Sequence, residues 1–178
     1  NVLKYPHVVM SGYAQRGYVA STDNENPVVP VWKVFDNKYW ITGAADIERW
    51  QPSEQVYGTA GADVTAGGTT TLADSSTKRG NYIQLESPHK LNVTKYKIYS
   101  GTFLTLYRPT KVVMLGSNTG GTDWVDIGLG ETAPTYSGTN ADYAGTVSVS
   151  NTSAYKYHRL VIRAIHSKSL PVIYQLQF

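Results

Sequence analysis

The chain has no cysteine, few charged residues and no long apolar run. None of its 178 residues is Cys, and Asp, Glu, Lys and Arg make up only 16% of them, against roughly a quarter in an average domain. Without thiols the chain can neither form disulfides nor bind zinc through cysteine. No segment approaches the ~20 apolar residues of a membrane span, and the first residues do not form a signal peptide. Thiol chemistry and a membrane span are therefore excluded.

Positive charge is present but scattered. The formal net charge is +3, from 16 basic and 13 acidic residues. The tightest basic pairs are Lys78-Arg79 and His158-Arg159, and no run of basic residues could follow a phosphate backbone. A solvated surface explains these charges better than a nucleic-acid partner, so no nucleic acid is predicted.

Glycine and tyrosine are abundant, with 16 Gly and 14 Tyr. So many aromatic residues argue against a disordered chain. Gly, Pro and Asn interrupt the sequence at short intervals and helical periodicity is nearly absent, which is the pattern of an all-β domain. A single domain over residues 1–178 is predicted. Because the chain starts at Asn1 and not at Met, it is expected to be a fragment of a longer protein.

Apolar–polar alternation predicts the strands. In Tyr157–Ile165 the uncharged face, with Leu160 and Ile162, is predicted to face the core, and His158 to reach water at the start of the strand. The predicted strands are His7–Ser11, Gly17–Ala20, Asn81–Glu86, Lys95–Ser100, Thr110–Gly116, Trp124–Gly128, Thr146–Ser150, Tyr157–Ile165 and Pro171–Phe178.

Helices and loops take up the remainder. Helical patterning is limited to Val31–Phe35 and Ala44–Trp50. The Gly/Thr/Ala-rich tract at 58–80 is predicted to be an inserted surface loop or a short hairpin, since unstructured loops of that length are uncommon. A second loop is predicted from Gly130 to Gly145.

Several short motifs occur in a fixed order along nearly the whole chain. They are Tyr5-Pro6 before a Gly17-Tyr-x-x-Ser21 strand, Val34-Phe-Asp-Asn37 with Trp40, Asn81-Tyr-Ile-Gln-Leu85, Arg108-Pro109, Leu115-Gly-Ser-Asn-Thr-Gly-Gly-Thr-Asp-Trp124, Tyr157-x-Arg159-Leu160 and the closing Val172–Phe178. In this order they resemble the discoidin domain, also called the coagulation factor 5/8 type C module, a galactose-binding-like fold. The resemblance implies a jelly-roll β-sandwich with long surface loops that binds a ligand and catalyses nothing.

The resemblance also indicates a setting. Secreted animal discoidin domains usually carry a disulfide that ties their ends, and this chain has no cysteine. The Tyr-Pro opening is similar to that of viral and marine microbial relatives. Both features favour a viral or microbial protein, located on a virion surface or outside the cell.

An enzymatic site is not predicted. The 4 histidines lack metal-binding spacings, and the chain has neither a Gly-x-Ser-x-Gly elbow nor a P-loop. A glycosidase needs two positioned carboxylates, and chance alone supplies candidates among 13 acids, namely Asp46, Glu48, Asp123 and Asp126. The chain is expected to be no enzyme, although it could be the binding appendage of one.

A structural calcium is the ion that the resemblance implies. In such sandwiches loop carbonyls, the aspartate of Phe-Asp-Gly and a glutamate of the closing strand hold it. Here Asp36 is present with Thr42 nearby, but Gln175 replaces the glutamate, and calcium usually needs more than one carboxylate. The alternative for Asp36 is a turn cap that accepts backbone N–H groups. The predicted cofactor is accordingly either none or a structural calcium.

The ligand site implied by the resemblance lies on loops at one end of the sandwich. Sugar binding requires an aromatic platform and planar polar partners. The candidate ligand-binding residues are Tyr39, Trp50, Arg49, Tyr57, Tyr107 and Arg108. The alternative for Trp50 is half-buried packing.

Two functions follow from this pattern. The first is a module that binds a carbohydrate or a cell-surface receptor, on a larger virion or extracellular protein. The second is a structural domain of a capsid or fibre, whose tyrosine-rich surface contacts other subunits without binding sugar. A sugar site predicts a few converging side chains, whereas assembly predicts a flat patch of roughly 800 Å² per partner.

Overall fold

The computed structural model describes residues 3–38, 48–58, 60–101, 105–128, 130–139 and 143–178. Within these residues the chain forms antiparallel strands in two main sheets and one small hairpin. Two 3₁₀ helices span Val31–Phe35 and Thr105–Tyr107. The strands are β1 (Ala14–Gln15), β2 (Tyr18–Thr22), β3 (Thr69–Thr71), β4 (Thr77–Arg79), β5 (Tyr82–Leu91), β6 (Lys95–Tyr99), β7 (Pro109–Ser117), β8 (Val125–Asp126), β9 (Thr135–Ser137), β10 (Ala144–Ser148), β11 (Tyr155–Ile165) and β12 (Gln175–Gln177).

The two main sheets are assembled mostly from strands that are distant in sequence. The larger has the order β1-β2-β5-β11-β7-β8 and the smaller the order β12-β6-β10-β9, with every pairing antiparallel. Strands β3 and β4 pair only with each other, in a separate two-stranded hairpin. The predicted all-β sandwich of the discoidin-like type is confirmed.

The core lies between the two sheets. Ile83 of β5 and Leu160 and Ile162 of β11 pack in one apolar cluster with Ile98 of β6 and Leu176 of β12, and all five side chains are fully buried. Each such burial stabilises the fold by about 2 kcal/mol. The alternation in β11 therefore predicted its core-facing side correctly.

His158 departs from its prediction. It lies on the core face of β11, is completely buried and does not reach water. The rings of Tyr155 and Phe178 surround it, at centroid distances of 6.4 and 5.8 Å. The strand continues to Tyr155 and pairs with β5 and β7, so its start is covered on both sides.

Most predicted strands are present with shifted ends. His7–Ser11 is wrong, because this segment forms bends and Met10 donates its N–H to Phe35 O (3.0 Å) instead of joining a sheet. Part of the predicted loop from Gly130 to Gly145 is strand, since β9 and the start of β10 fall within it.

The helical pattern at Val31–Phe35 is confirmed as a 3₁₀ helix. Of the one at Ala44–Trp50, residues 44–47 lie outside the described residues, and 48–50 form a bend and a bridge instead of a helix.

The tract at 58–80 contains the hairpin β3–β4, which covers the outer face of the larger sheet. Leu72 packs there against Val113, Leu115 and Trp124 in a second apolar cluster. Arg159 fastens the hairpin to the sheet, since its guanidinium donates to Thr70 Oγ1 at 2.6 Å. The inserted hairpin is thus docked on the sheet through Thr70 and Leu72, while most of its other side chains are exposed.

The guanidinium of Arg159 is itself enclosed. It lies 3.8 Å from the ring centre of Tyr82 and 4.1 Å from that of Trp124. It also donates two hydrogen bonds to Gln84 Oε1, at 3.0 and 2.6 Å. The Arg159 of the Tyr-x-Arg-Leu motif therefore has a structural role.

Removing the Leu72 side chain should loosen the hairpin from the sheet. We expect Leu72→Ala to lower the free energy of unfolding by about 2 kcal/mol, the loss typical of truncating a buried leucine. Urea denaturation would measure it, with Thr71→Ala as the control because Thr71 is an exposed neighbour. Equal stability of the two variants would mean that the hairpin does not depend on this contact.

No helix within the described parts of the chain is long and apolar enough to cross a membrane.

Candidate functional site

Three loop segments meet at one end of the sandwich. The antiparallel register places Ile165, where β11 ends, opposite Pro109, where β7 begins. The segment from 166 to 174, between β11 and β12, is therefore brought against the 3₁₀ helix that precedes β7, and Val172 N donates to Tyr107 O at 3.2 Å. On its other side the same segment holds 48–58, through Tyr57 N to Ser169 O at 3.0 Å.

These segments enclose a polar pocket of about 460 Å³, within the usual range for small-molecule sites. We call it the Arg49–Tyr107 pocket, after the two predicted ligand-binding residues that it brings together. The described side chains that line it are Arg49, Gln51, Gln55, Tyr107, Lys168, Ser169, Leu170 and Val172.

Arg49 forms one wall of the pocket. The neighbouring Trp50 exchanges two backbone hydrogen bonds with Ile173, at 2.8 and 3.1 Å, which fixes the backbone beside Arg49. Its guanidinium donates to Gln51 Oε1 at 3.3 Å. Burial lowers the pKa of Arg49, while Tyr174 and Tyr107 act in the opposite direction. An arginine keeps its charge under such conditions, so Arg49 is a partly desolvated cation.

Tyr107 supplies the aromatic surface. It is half-buried and packs against the small cluster of Leu170, Val172 and Tyr174, so its ring is held in place. The ammonium group of Lys168 lies 5.9 Å from the centre of that ring, and Lys168 itself is exposed. The pocket therefore presents a supported ring next to a mobile positive charge.

Two glutamine amides complete the polar lining. Ser169 Oγ donates to Gln55 Oε1 at 2.8 Å, just as Arg49 donates to Gln51 Oε1. The side-chain oxygens of both glutamines already accept from neighbouring residues. Each oxygen can accept one further hydrogen bond, and each amide nitrogen can donate two, so the glutamines offer a ligand more donors than acceptors.

Two of the aromatic candidates are placed elsewhere. Trp50 is completely buried in the main core, so it is packing and not a platform. Tyr57 is buried behind the pocket, where its hydroxyl donates to Ile162 O at 2.8 Å and accepts from Asn81 N at 3.2 Å. Neither ring can touch a ligand, and both are removed from the candidate set.

Arg108 also lies outside the pocket lining. Its guanidinium stands 5.4 Å from the ring centre of Tyr136 and donates to Thr105 O at 3.3 Å. Tyr39 lies outside the described residues. Sequence reasoning missed Gln51, Gln55, Lys168 and Ser169, and the only available signal was that 168 and 169 follow the end of a predicted strand.

The predicted calcium ligands Asp36 and Gln175 do meet, but as a hydrogen-bonded pair. Gln175 Nε2 donates to Asp36 Oδ1 at 3.1 Å and lies 3.4 Å from Lys33 O. Both partners are acceptors, so the amide must turn its nitrogen towards them. Calcium takes oxygen ligands, and an N–H donor at this point does not fit the ion. Thr42 lies outside the described residues.

Asp36 also behaves as the turn cap that was the alternative. Its Oδ1 accepts from Lys38 N at 2.9 Å. Burial raises the pKa of Asp36 to about 6, the Lys38 backbone opposes this, and the neighbouring Glu48 raises it further. Glu48 in turn lies 3.9 Å from Lys33 Nζ and 3.5 Å from Lys38 Nζ. No cluster of three or more His, Cys, Asp or Glu with metal-binding geometry occurs among the described residues.

The other acids weighed for catalysis are held in structural contacts. Asp123 accepts from the side chains of Ser117 and Thr119 and from Asn118 N (2.8 Å), and these bonds lower its pKa to about 2 although burial acts to raise it. Asp126 accepts from Gly128 N at 3.0 Å. Asp46 lies outside the described residues.

Several solved structures that resemble this chain are carbohydrate-binding modules. The chain is similar over 90% of its length to the family 32 module of NanJ from Clostridium perfringens, solved with galactose, at 11% identity, covering 92% of that chain with a TM-score of 0.58. It is similar over 90% to a module of the same type from Clostridium perfringens, solved with GalNAc-β-1,3-galactose, at 13% identity, covering 94% of that chain with a TM-score of 0.59.

A third similar structure is chitosan-binding module 1 from the chitosanase/glucanase of Paenibacillus sp. IK-5. The identity is 12%, the alignment covers 90% of this chain and 93% of that one, and the TM-score is 0.56. No protein-family model and no curated protein sequence matches the chain. At such low identity the likeness shows the fold, which is the galactose-binding-like, discoidin-type β-sandwich.

Proposed function

We propose that this chain is a non-catalytic carbohydrate-binding module and that its ligand binds in the Arg49–Tyr107 pocket. The observation that carries the proposal is the convergence, at one end of the sandwich, of a supported tyrosine ring, a guanidinium and two amides in about 460 Å³. An aromatic surface binds the apolar face of a sugar ring, and planar polar groups bind its hydroxyls. The similar structures solved with galactose and with GalNAc-β-1,3-galactose support a sugar as the ligand class.

Binding without catalysis agrees with the chemistry of the lining. Hydrolysis of a glycosidic bond requires two positioned carboxyl groups, and none of the described side chains that line the pocket is acidic. The chitosan-binding module named above derives from a chitosanase/glucanase, which supports the role of an appendage that brings a partner domain to its polymer.

Glycan-array binding followed by calorimetry tests the proposal. We expect Tyr107→Ala and Gln55→Ala each to weaken binding to the best glycan at least about tenfold, which is 1.4 kcal/mol. Tyr13→Ala is the matched control, because Tyr13 is an exposed tyrosine that does not line the pocket. Gln55 is exposed, so its variant should fold even if loss of the Tyr107 ring disturbs the loops. Unchanged binding in both pocket variants would disprove the placement of the site.

The biological setting stays a prediction from the sequence. A virion or extracellular location, a receptor as partner, and the alternative role in capsid or fibre assembly all await a partner experiment. An empty glycan array with a folded domain would favour the assembly role, and light scattering of the domain with candidate partner subunits would then be the next measurement.

A further inference from the structure

We infer that the Arg49–Tyr107 pocket selects an acidic glycan, one that carries a carboxylate or a sulfate on the sugar held against Tyr107. This inference rests on the proposed function and concerns the chemical class of its ligand.

The first support is the charge of the lining. Arg49 and Lys168 are the two charged side chains among the described residues around the pocket, and both are cationic. Arg49 is half-buried, and the lowering of its pKa shows that its charge is partly desolvated. An anion placed in the pocket would add a charge-assisted interaction to the contacts that this guanidinium already makes with Gln51 and Tyr174.

The second support is the balance of donors and acceptors. Neutral sugar hydroxyls both donate and accept, so a site for them needs acceptors of its own. Each glutamine oxygen already accepts one hydrogen bond, Gln51 Oε1 from Arg49 and Gln55 Oε1 from Ser169, and so can accept only one more. The N–H groups of the two amides and of the Lys168 ammonium outnumber these remaining acceptor positions. The groups left for a ligand are mainly donors. A carboxylate or sulfate only accepts, and therefore matches this lining better than a hydroxyl does.

The third support is geometric. The backbone beside Arg49 is held by the paired Trp50 and Ile173, and the Nη2 atom of Arg49 donates to Gln51, so the cation is held in the wall of the pocket. Its Nε and Nη1 atoms are buried, so a carboxylate or sulfate would meet the guanidinium from the side of Nη2 and be attracted mainly by its charge. Lys168 is an exposed flexible cation at the rim and can follow an anion of either size. The ring of Tyr107 lines the same pocket and would position the sugar.

Matched glycans test the inference. The probes are an oligogalactoside, the corresponding oligogalacturonide and a 6-sulfated oligogalactoside, each titrated calorimetrically into the whole chain at 50 and 300 mM NaCl. We expect at least one acidic probe to bind about tenfold or more tighter than the neutral one at low salt, and that advantage to shrink at high salt. The comparison of the carboxylated with the sulfated probe identifies which anion is preferred.

Two charge-removing variants sharpen the test. Lys168→Gln should weaken binding of the preferred acidic probe at least about fivefold more than it weakens binding of the neutral probe. Lys90→Gln, which removes an exposed lysine outside the pocket, should change neither affinity. Equal or tighter binding of the neutral probe would overturn the inference and leave the proposed function standing. If no glycan of any charge binds, the proposed function itself fails.

Discussion

Gln175→Glu should lower the free energy of unfolding by about 3 kcal/mol or more at pH 7, the cost typical of an uncompensated buried charge. Gln175 is 2% exposed, and its amide nitrogen donates to Asp36 Oδ1 at 3.1 Å. A glutamate would replace this donor by a carboxylate facing Asp36, with Glu48 already beside it. Two carboxylates would then face each other in a buried site, with the half-buried Glu48 next to them. Thermal or urea denaturation would measure the loss.

The effect of calcium on stability distinguishes a calcium site at Asp36 and Gln175 from a hydrogen-bonded pair of these two side chains. In the parent protein we expect the same melting temperature with millimolar calcium and with chelator, because an amide N–H occupies the point where oxygen ligands would have to converge. In Gln175→Glu we expect calcium to recover part of the lost stability, since carboxylate oxygens then face one another. Gln175→Ala is the control, which removes the donor without adding a charge. A calcium-dependent rise in the parent would show that Gln175 presents its oxygen and not its nitrogen.

The sequence predicted the sheets better than it predicted the loops, for a physical reason. The alternation in β11 records which side is apolar, and that local pattern is sufficient to place Leu160 and Ile162 in the core. His7–Ser11 shows the limit of such patterns. Its side chains are compatible with a strand, but a strand also needs a neighbour with matching backbone groups, and Met10 N binds Phe35 O instead.

The candidate site was predicted only in part because it is formed by loop docking. Arg49 and Tyr107 were named for their chemistry, yet what brings them together is the segment from 166 to 174, which pairs with Trp50 on one side and Tyr107 on the other. No local pattern encodes that contact. The same non-local pairing explains the error on Trp50, whose polar neighbours in sequence suggest exposure although its bridge to Ile173 draws it into the core.

Acidification should destabilise the fold through His158. Burial lowers the pKa of His158 to about 4, and the Leu91 backbone offsets only part of that effect, whereas the unfolded chain titrates near the ordinary value of about 6.5. Above pH ~6.5 both states hold a neutral ring. Below pH ~6.5 the imidazole is protonated in the unfolded state but stays neutral in the folded state. The free energy of unfolding therefore falls as the pH drops from about 6.5 towards about 4. The loss amounts to about 3 kcal/mol at its full extent.

The variant His158→Leu separates the pH dependence of stability due to His158 from that due to Asp36. The two contributions change with pH in opposite directions. The pKa of Asp36 is raised to about 6, so the folded state holds its proton more tightly, and stability contributed by protonated Asp36 is lost as the pH rises from about 4 to about 6. We therefore expect His158→Leu to remove the acid-side loss and leave the Asp36 trend visible. His89→Asn, on an exposed position of β5, is the control and should keep the full acid sensitivity. Urea denaturation at half-unit steps from pH 4 to 8 measures all three proteins. A parent and a His158→Leu variant with parallel pH profiles would mean that the buried ring accepts its proton in the folded state after all.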